Sequence, residues 1–306
     1  MSALIALALA AAQVFSAPLD LPKMARVEMV VSKTREDVRG GKTTRVTSET
    51  RYDKTIETRP QGYRVTLKPT SVKLPSTPET AKVEAAMGDL MNRPVVYVAD
   101  EGLKPSTVED WPGFVAEMRK SMLALAGDDK DVAKAMTSVV AMFEGLSPEQ
   151  AAGILLKEEG LISLPINVEL EAGKPFTYEE MIASPMGGSP IKSNGALAVQ
   201  KVETGRGVAV LRWTQTLDPD SMRASLALTM QKLMAGMGPE ADRPEVKAML
   251  AKMTFDRTSA CDYEIDLKSG LPVKTDCEVK ITLTDPATGE TGARNEYWAI
   301  TQTLKN

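Results

Sequence analysis

The 306-residue chain contains no histidine. That absence removes Ser-His and Cys-His activation of a nucleophile, imidazole acid–base work and most zinc and iron sites. Cysteine is scarce as well: Cys261 and Cys277 are the only two. There is no basic tract and the formal net charge is −4, which argues against nucleic acid or an anionic membrane surface as the main partner. No apolar run is long enough to cross a bilayer as a helix. Chemistry is left to carboxylates, Lys, Ser, Thr and Tyr.

What is present is ordinary globular material, with 43% hydrophobic and 25% charged residues. The first residues differ. Met1–Ala17 reads MSALIALALAAAQVFSA, and its apolar run Ala3–Ala12 suits the h-region of a secretory signal peptide. Small residues permit cleavage after Ala12, or near Ser16 or Ala17. The n-region carries no Lys or Arg, and a buried N-terminal helix is the alternative reading. No cysteine follows the run, so a lipid-modified N-terminus is not expected. Residues 1–17 are read as a signal peptide, 18–306 as a single α+β domain, and the compartment as the periplasm or the exterior.

Cys261–Cys277 (CDYEIDL, KSG, LPVKTDC) reads as a β-hairpin. Cys261, Tyr263, Ile265 and Leu267 alternate with acidic residues, and Cys277, Val279, Ile281 and Leu283 repeat the pattern. A three-residue loop, Lys268-Ser269-Gly270 with Gly left-handed, places Ile265 opposite Val273 and Cys261 opposite Cys277. A two-residue loop would put the sulfurs on opposite faces. A disulfide therefore selects the first register, and disulfides persist in oxidising compartments. Two buried free thiols, or metal held by two cysteines alone, are the weaker readings.

Along the chain, strands are expected at 26–31, 43–58 and 63–67, with turns at Gly40-Gly41 and Arg59–Gly62. A Pro-containing connector follows at 69–78, then helices over about 79–157 interrupted by a strand at 93–99. Ser106 or Thr107 is expected to cap a helix striped by Val108, Trp111, Val115, Met118, Met122 and Leu125. Ser147-Pro148-Glu149-Gln150 has the makings of a capping box, and Gly160 is expected to end its helix. Strands at 162–170, 196–203 and 208–217 and helices over 218–252 follow, then the Cys hairpin and a closing strand at 295–304. The consecutive hairpins imply an α+β fold. The expected architecture is a curved antiparallel sheet, an open or half barrel, with amphipathic helices over its concave face.

Catalytic patterns are weak. Ser189-Pro190-Ile191-Lys192 matches S-x-x-K, but that chemistry needs the Ser at a helix start, and a loop and a strand flank it here. Gly205-Arg206-Gly207 reads as a hairpin turn and Asp218-Pro219-Asp220 as a helix cap. Glu158-Glu159 and Asp128-Asp129 read as solvated helix ends. Met222, Leu226, Met230, Leu233, Met234 and Met237 stripe one helix. With Trp111, Met118 and Met122 they are the candidate lining of an apolar ligand site; core packing and thioether-held copper are the alternatives. No catalytic, metal or cofactor residue is assigned.

Asp266-Leu267-Lys268-Ser269-Gly270-Leu271-Pro272 resembles the D-x-x-T/S-G-L-P turn of periplasmic lipoprotein carriers of the LolA type and their open-barrel relatives. The resemblance implies a curved antiparallel sheet whose concave side holds helices and acyl chains, and it assigns no ligand-binding residue. The function expected is non-enzymatic binding or carriage of a lipid or other hydrophobic ligand. An envelope protein-interaction module is the alternative, and a histidine-free hydrolase a distant third. Replacing Cys261 by Ser should lower thermal stability under oxidising conditions by about 3 kcal/mol. Calorimetry with and without reductant checks this; equal melting temperatures for mutant and wild type would count against the bond.

Overall fold

The structure is a computed structural model that describes residues 14–182, 189–235, 254–284 and 289–305; for Pro78, Glu79 and 229–235 it describes the backbone alone. Alternating and Thr-rich segments become long strands. They are β1 (Val14–Ser16), β2 (Met24–Arg39), β3 (Lys42–Thr58), β4 (Tyr63–Lys73), β5 (Val95–Ala99), β6 (Pro105–Val108), β7 (Glu169–Glu171), β8 (Phe176–Ile182), β9 (Ile191–Glu203), β10 (Val208–Leu217), β11 (Thr254–Asp266), β12 (Pro272–Thr284) and β13 (Thr291–Lys305). The helices are α1 (Pro78–Met91), α2 (Trp111–Ala126), α3 (Lys130–Glu144), α4 (Pro148–Leu155), α5 (Lys157–Ser163) and α6 (Pro219–Ala235).

Eleven strands form one antiparallel sheet in the order β6-β5-β4-β3-β2-β13-β12-β11-β10-β9-β8, and it does not close on itself. The first and last long strands, β2 and β13, meet at its middle, and two meanders run outward from them. The connection from β6 to β8 must therefore carry the chain from one edge to the other. Eleven strands at about 4.8 Å spacing make that path on the order of 45 Å across a flat sheet. Residues 109–175, with α2 to α5, make the journey over one face.

That inner face is set by period-2 alternation. Val27, Met29 and Val31 of β2, Tyr263 and Ile265 of β11, and Trp298 and Ile300 of β13 are buried on it. Trp111, Phe114, Val115 and Met118 of α2, Val140 of α3, Ala151 and Ala152 of α4 and Ile162 of α5 join the same core. The chain from Phe15 to Leu21 packs there too. β1 pairs with β7, the Leu19 amide donates to Asn167 Oδ1 at 2.7 Å, and the Asp20 amide donates to the Ser269 carbonyl at 2.9 Å.

The expected α+β class, antiparallel sheet and disulfide are all present. Cys261 and Cys277 pair directly across β11 and β12 on the buried face, bonded, with Cα atoms 4.1 Å apart. The hairpin tip departs from the expected register. A bulge after Glu264 places Ile265 opposite Pro272, and the Asp266 amide closes onto the Leu271 carbonyl. Asp266 Oδ2 accepts from the Ser269 amide and hydroxyl, which stabilises this wider turn.

Four other expectations are corrected. β4 runs to Lys73 because a bulge beside Tyr52 takes Pro69 into the edge of the ladder. Ser106 and Thr107 lie in β6, and Asp110 caps α2 through the Gly113 amide. Gly160 does not end a helix; it sits inside α5, so 162–170 is a helix end, a turn and the first two residues of β7. β8, assigned to no element from the sequence, is the far edge strand. The Ser147 capping box, the Asp218 cap and the Gly205–Gly207 turn occur as expected. Residues 236–252 of the helical stretch expected over 218–252, and most of the signal segment, lie outside the described residues.

Two glycines separate backbone strain from crowding. Gly41, φ +71°, closes the β2–β3 hairpin with open space around it, whereas at Gly270, φ +70°, an added Cβ would stand 2.3 Å from the Pro18 carbonyl. Gly41→Ala should cost about 1 kcal/mol of left-handed strain. Gly270→Ala should cost clearly more, because it also displaces residues 18–20. Urea titration of the two variants checks the order.

Candidate functional site

Three consecutive residues at the start of α5 tie the helices to the sheet. Glu159, only 2% exposed, faces Lys54 of β3, 1% exposed. Lys54 Nζ donates to Glu159 Oε2 at 2.5 Å and to Gln302 Oε1 at 3.2 Å. The Tyr97 hydroxyl donates to the same carboxylate oxygen at 2.7 Å, and Gln302 Nε2 donates to the Pro272 carbonyl at 2.8 Å. Burial, then the adjoining Glu159 carboxylate, pushes the Tyr97 phenol far above its ordinary range, so it stays protonated and donating. Glu159 Oε1 is buried with no hydrogen-bond partner among the described residues. Glu158 accepts from Trp298 Nε1 at 3.1 Å. Lys157 Nζ donates to Glu296 Oε2 at 3.0 Å and lies 4.4 Å from the centre of the Trp298 ring.

Beyond Trp298 the inner face changes character. Strand register sets out two further rows. Ser259, Val279, Glu296, Arg35 and Val46 form one; Arg257, Ile281, Arg294, Asp37 and Thr44 form the next. Lys33, beside Trp298 in register, reaches the Trp298 ring at 4.9 Å and Glu296 at 3.9 Å. Arg294 Nε donates to Asp37 Oδ1 at 2.6 Å, and Arg35 Nε pairs with Asp37 Oδ2 at 2.7 Å. Five cations (Lys33, Arg35, Lys157, Arg257, Arg294) thus face three carboxylates (Asp37, Glu158, Glu296). Among them stand the part-exposed apolar side chains Phe255, Ile281, Leu283 and Val46.

The charges are unevenly matched. Burial pushes the Glu296 carboxyl up, but Lys157, Lys33 and Arg294 outweigh it and hold the group below its ordinary value. Burial pulls Lys157 down against the opposing pull of Glu296, with Arg257 and Lys33 adding repulsion. Burial also lowers Arg257, again opposed by Glu296. Arg257 is half-buried, and its guanidinium has no hydrogen-bond or ion-pair partner among the described residues. Glu296 thus attracts Arg257 at a distance, while the guanidinium donors make no direct contact with an acceptor among the described residues.

The residues picked out from the sequence are dispersed. Trp111 and Met118 are buried in the core under α2, with Met122 packed against its margin. Met222 and Leu226 are half-buried on α6; the side chains of Met230, Leu233 and Met234, and all of Met237, lie outside the described residues. Lys192 is on β9, ion-paired with Glu179, and Ser189 precedes that strand rather than a helix. The reading of Glu158-Glu159 as solvated is wrong: both carboxylates are engaged by the sheet. Two grooves, of about 470 and 400 Å³, lie on the outer face, one along Thr177, Asn194 and Thr214 and the other along Ser32, Arg212 and Tyr297. Neither is between sheet and helices.

No family model and no curated protein matches the chain. Among solved structures it is similar to DynF from the dynemicin biosynthesis pathway of Micromonospora chersina. There the identity is 8% and the TM-score 0.22, with 95% of this chain and 86% of that one covered. It is also similar to Pseudomonas aeruginosa OccK8 (OprE), with 8% identity, a TM-score of 0.20 and coverage of 92% and 98%. At these TM-scores neither likeness informs fold or function. Among the described residues no helix is long and apolar enough to cross a membrane, and no cluster of acidic or cysteine side chains has metal-binding geometry.

Glu159→Leu alone, or Lys54→Met alone, should destabilise the fold by about 3–5 kcal/mol, because each strands a buried partner. The Lys54→Met/Glu159→Leu double variant should recover most of that loss. Denaturant unfolding of the four proteins measures the coupling; additive losses would show that the pair does not act as a unit.

Proposed function

We propose that the protein is a non-catalytic, exported binder of an amphipathic, lipid-like molecule held on the inner sheet face. The observation that carries the reading is the division of that face. One end is sealed by α2 to α5 over an apolar core, and the other presents Phe255, Ile281 and Leu283 as neighbours among charged side chains. An apolar strip bordered by fixed charges suits a ligand with a tail and a head. The LolA-like turn at 266–272 and the signal-type segment support the same reading. β1 favours cleavage after Ala12, since Phe15 and Ala17 are core residues that a later cut would detach.

A second reading, an envelope interaction module, has one observation in its favour. β8 is an edge strand with Phe176 57% and Met181 63% exposed, and its far side is unpaired among the described residues. Unprotected edges of this kind pair with other chains.

Mass spectrometry of small molecules extracted from protein gently purified from the periplasm should reveal a stoichiometric amphiphile. Empty protein, together with a defined partner captured through β8, would replace the first reading by the second.

A further inference from the structure

Arg257 is the group around which the shelf is unbalanced. It sits on β11 directly across from Ile281, which in turn is directly across from Arg294 on β13. All three belong to the inner face, so one apolar side chain is flanked by two guanidinium groups about 10 Å apart at their strand positions. Arg294 is already bonded to Asp37, and Lys157 and Lys33 to Glu296. Arg257 alone in the cluster keeps its planar fork of donors unused among the described residues. The next inner-face positions, Phe255 and Leu283, are paired and apolar, with Leu283 37% exposed.

From this juxtaposition we infer that the shelf recognises an anionic amphiphile of the fatty-acid class. Its carboxylate is received by Arg257, with Lys157 adding longer-range attraction, and its chain lies along Ile281, Leu283 and Phe255. The inference rests on the lipid-like ligand proposed above and adds the charge and identity of its head. A guanidinium meets a carboxylate through two parallel N–H···O bonds, a geometry that an ammonium does not reproduce. The disulfide has a place in this. Cys261 and Cys277 lie two inner-face positions along from Arg257 and Ile281, so the bond fixes the register that puts the cation and the apolar strip on one side; a one-residue slip would turn Arg257 to the outer face.

The test is calorimetric titration of the full chain at low micromolar concentration with three probes: sodium oleate below its micellar range, methyl oleate and sodium acetate. Oleate should bind, methyl oleate at least tenfold more weakly, and acetate without measurable heat. Arg257→Gln should lose about tenfold in oleate affinity, the scale of one charge-assisted contact, and leave methyl oleate unchanged. Arg257→Lys should recover only part of the loss. Arg212→Gln, an outer-face control paired with Asp262, should bind as wild type. The melting temperature of Arg257→Gln should stay close to that of wild type, since among the described residues the arginine makes no direct ion pair and only a longer-range attraction to Glu296 is lost. Equal affinity for oleate and its methyl ester, or an Arg257→Gln variant that retains the preference, would overturn the anionic head while leaving the lipid reading standing. Binding of neither long-chain probe would end both. Acetate binding as tightly as oleate would show a plain anion site and overturn the inference.

Discussion

The Lys54–Glu159 pair is the interaction on which the arrangement depends. Both groups are almost completely buried, and Tyr97 and Gln302 complete their shell. Two charges in a low-dielectric interior attract strongly but lose their hydration, so such a pair adds little net stability while strongly disfavouring any structure that separates it. It therefore fixes position. Glu159 holds α5 above β3 and β5, and its predecessors are carried with it. Glu158 meets Trp298, and Lys157 reaches Glu296 and covers the Trp298 ring. Three residues in a row thus join the helical crossover to the middle of the sheet and end at the margin of the charged shelf.

The sheet explains why such an anchor is needed. Its strand order is two meanders joined at β2 and β13, so its two edges stand at opposite ends of the strand order yet are linked by one connection. That connection must lie across a face, and it covers the end where β2, β3, β4 and β5 carry Val27, Ile56, Val65 and Tyr97. The opposite end, toward the β2–β3 and β12–β13 turns, holds Arg35, Asp37, Arg257 and Arg294 instead. The same alternation that builds a core at one end builds a charged, partly apolar surface at the other. A ligand that is itself apolar at one end and charged at the other matches that gradient.

Much of the fold was legible in local patterns. Cys261, Tyr263 and Ile265 announce their strand by alternation, Ser147-Pro148-Glu149-Gln150 announces a helix start, and the shared face of the two cysteines selects their pairing. The failures are as physical. Ile162 to Leu170 is apolar enough for a strand, but its first residues finish α5, because the buried Glu159 pins that helix against the sheet. Glu158-Glu159 looks like any solvated acidic pair; nothing nearby in sequence marks Lys54, 105 residues away, as its partner. The shelf was hidden for the same reason. Lys33, Arg257 and Arg294 each occupy an apolar-parity position in a strand, a signal visible in the sequence, but only the register across β11, β12, β13 and β2 brings them together. The methionine stripe of α6 was the more conspicuous feature, and most of its side chains lie outside the described residues.

The most direct test of the account is residue-level mapping with a photoactivatable fatty acid carrying a diazirine midway along its chain, irradiated on the full-length protein. Labels on Ile281, Leu283 or Phe255, competed away by unlabelled oleate, are the predicted result. Labels confined to the outer-face grooves at Thr177, Asn194 and Thr214 or at Ser32 and Tyr297, or no competable label at all, would contradict the assignment of the inner face as the binding surface.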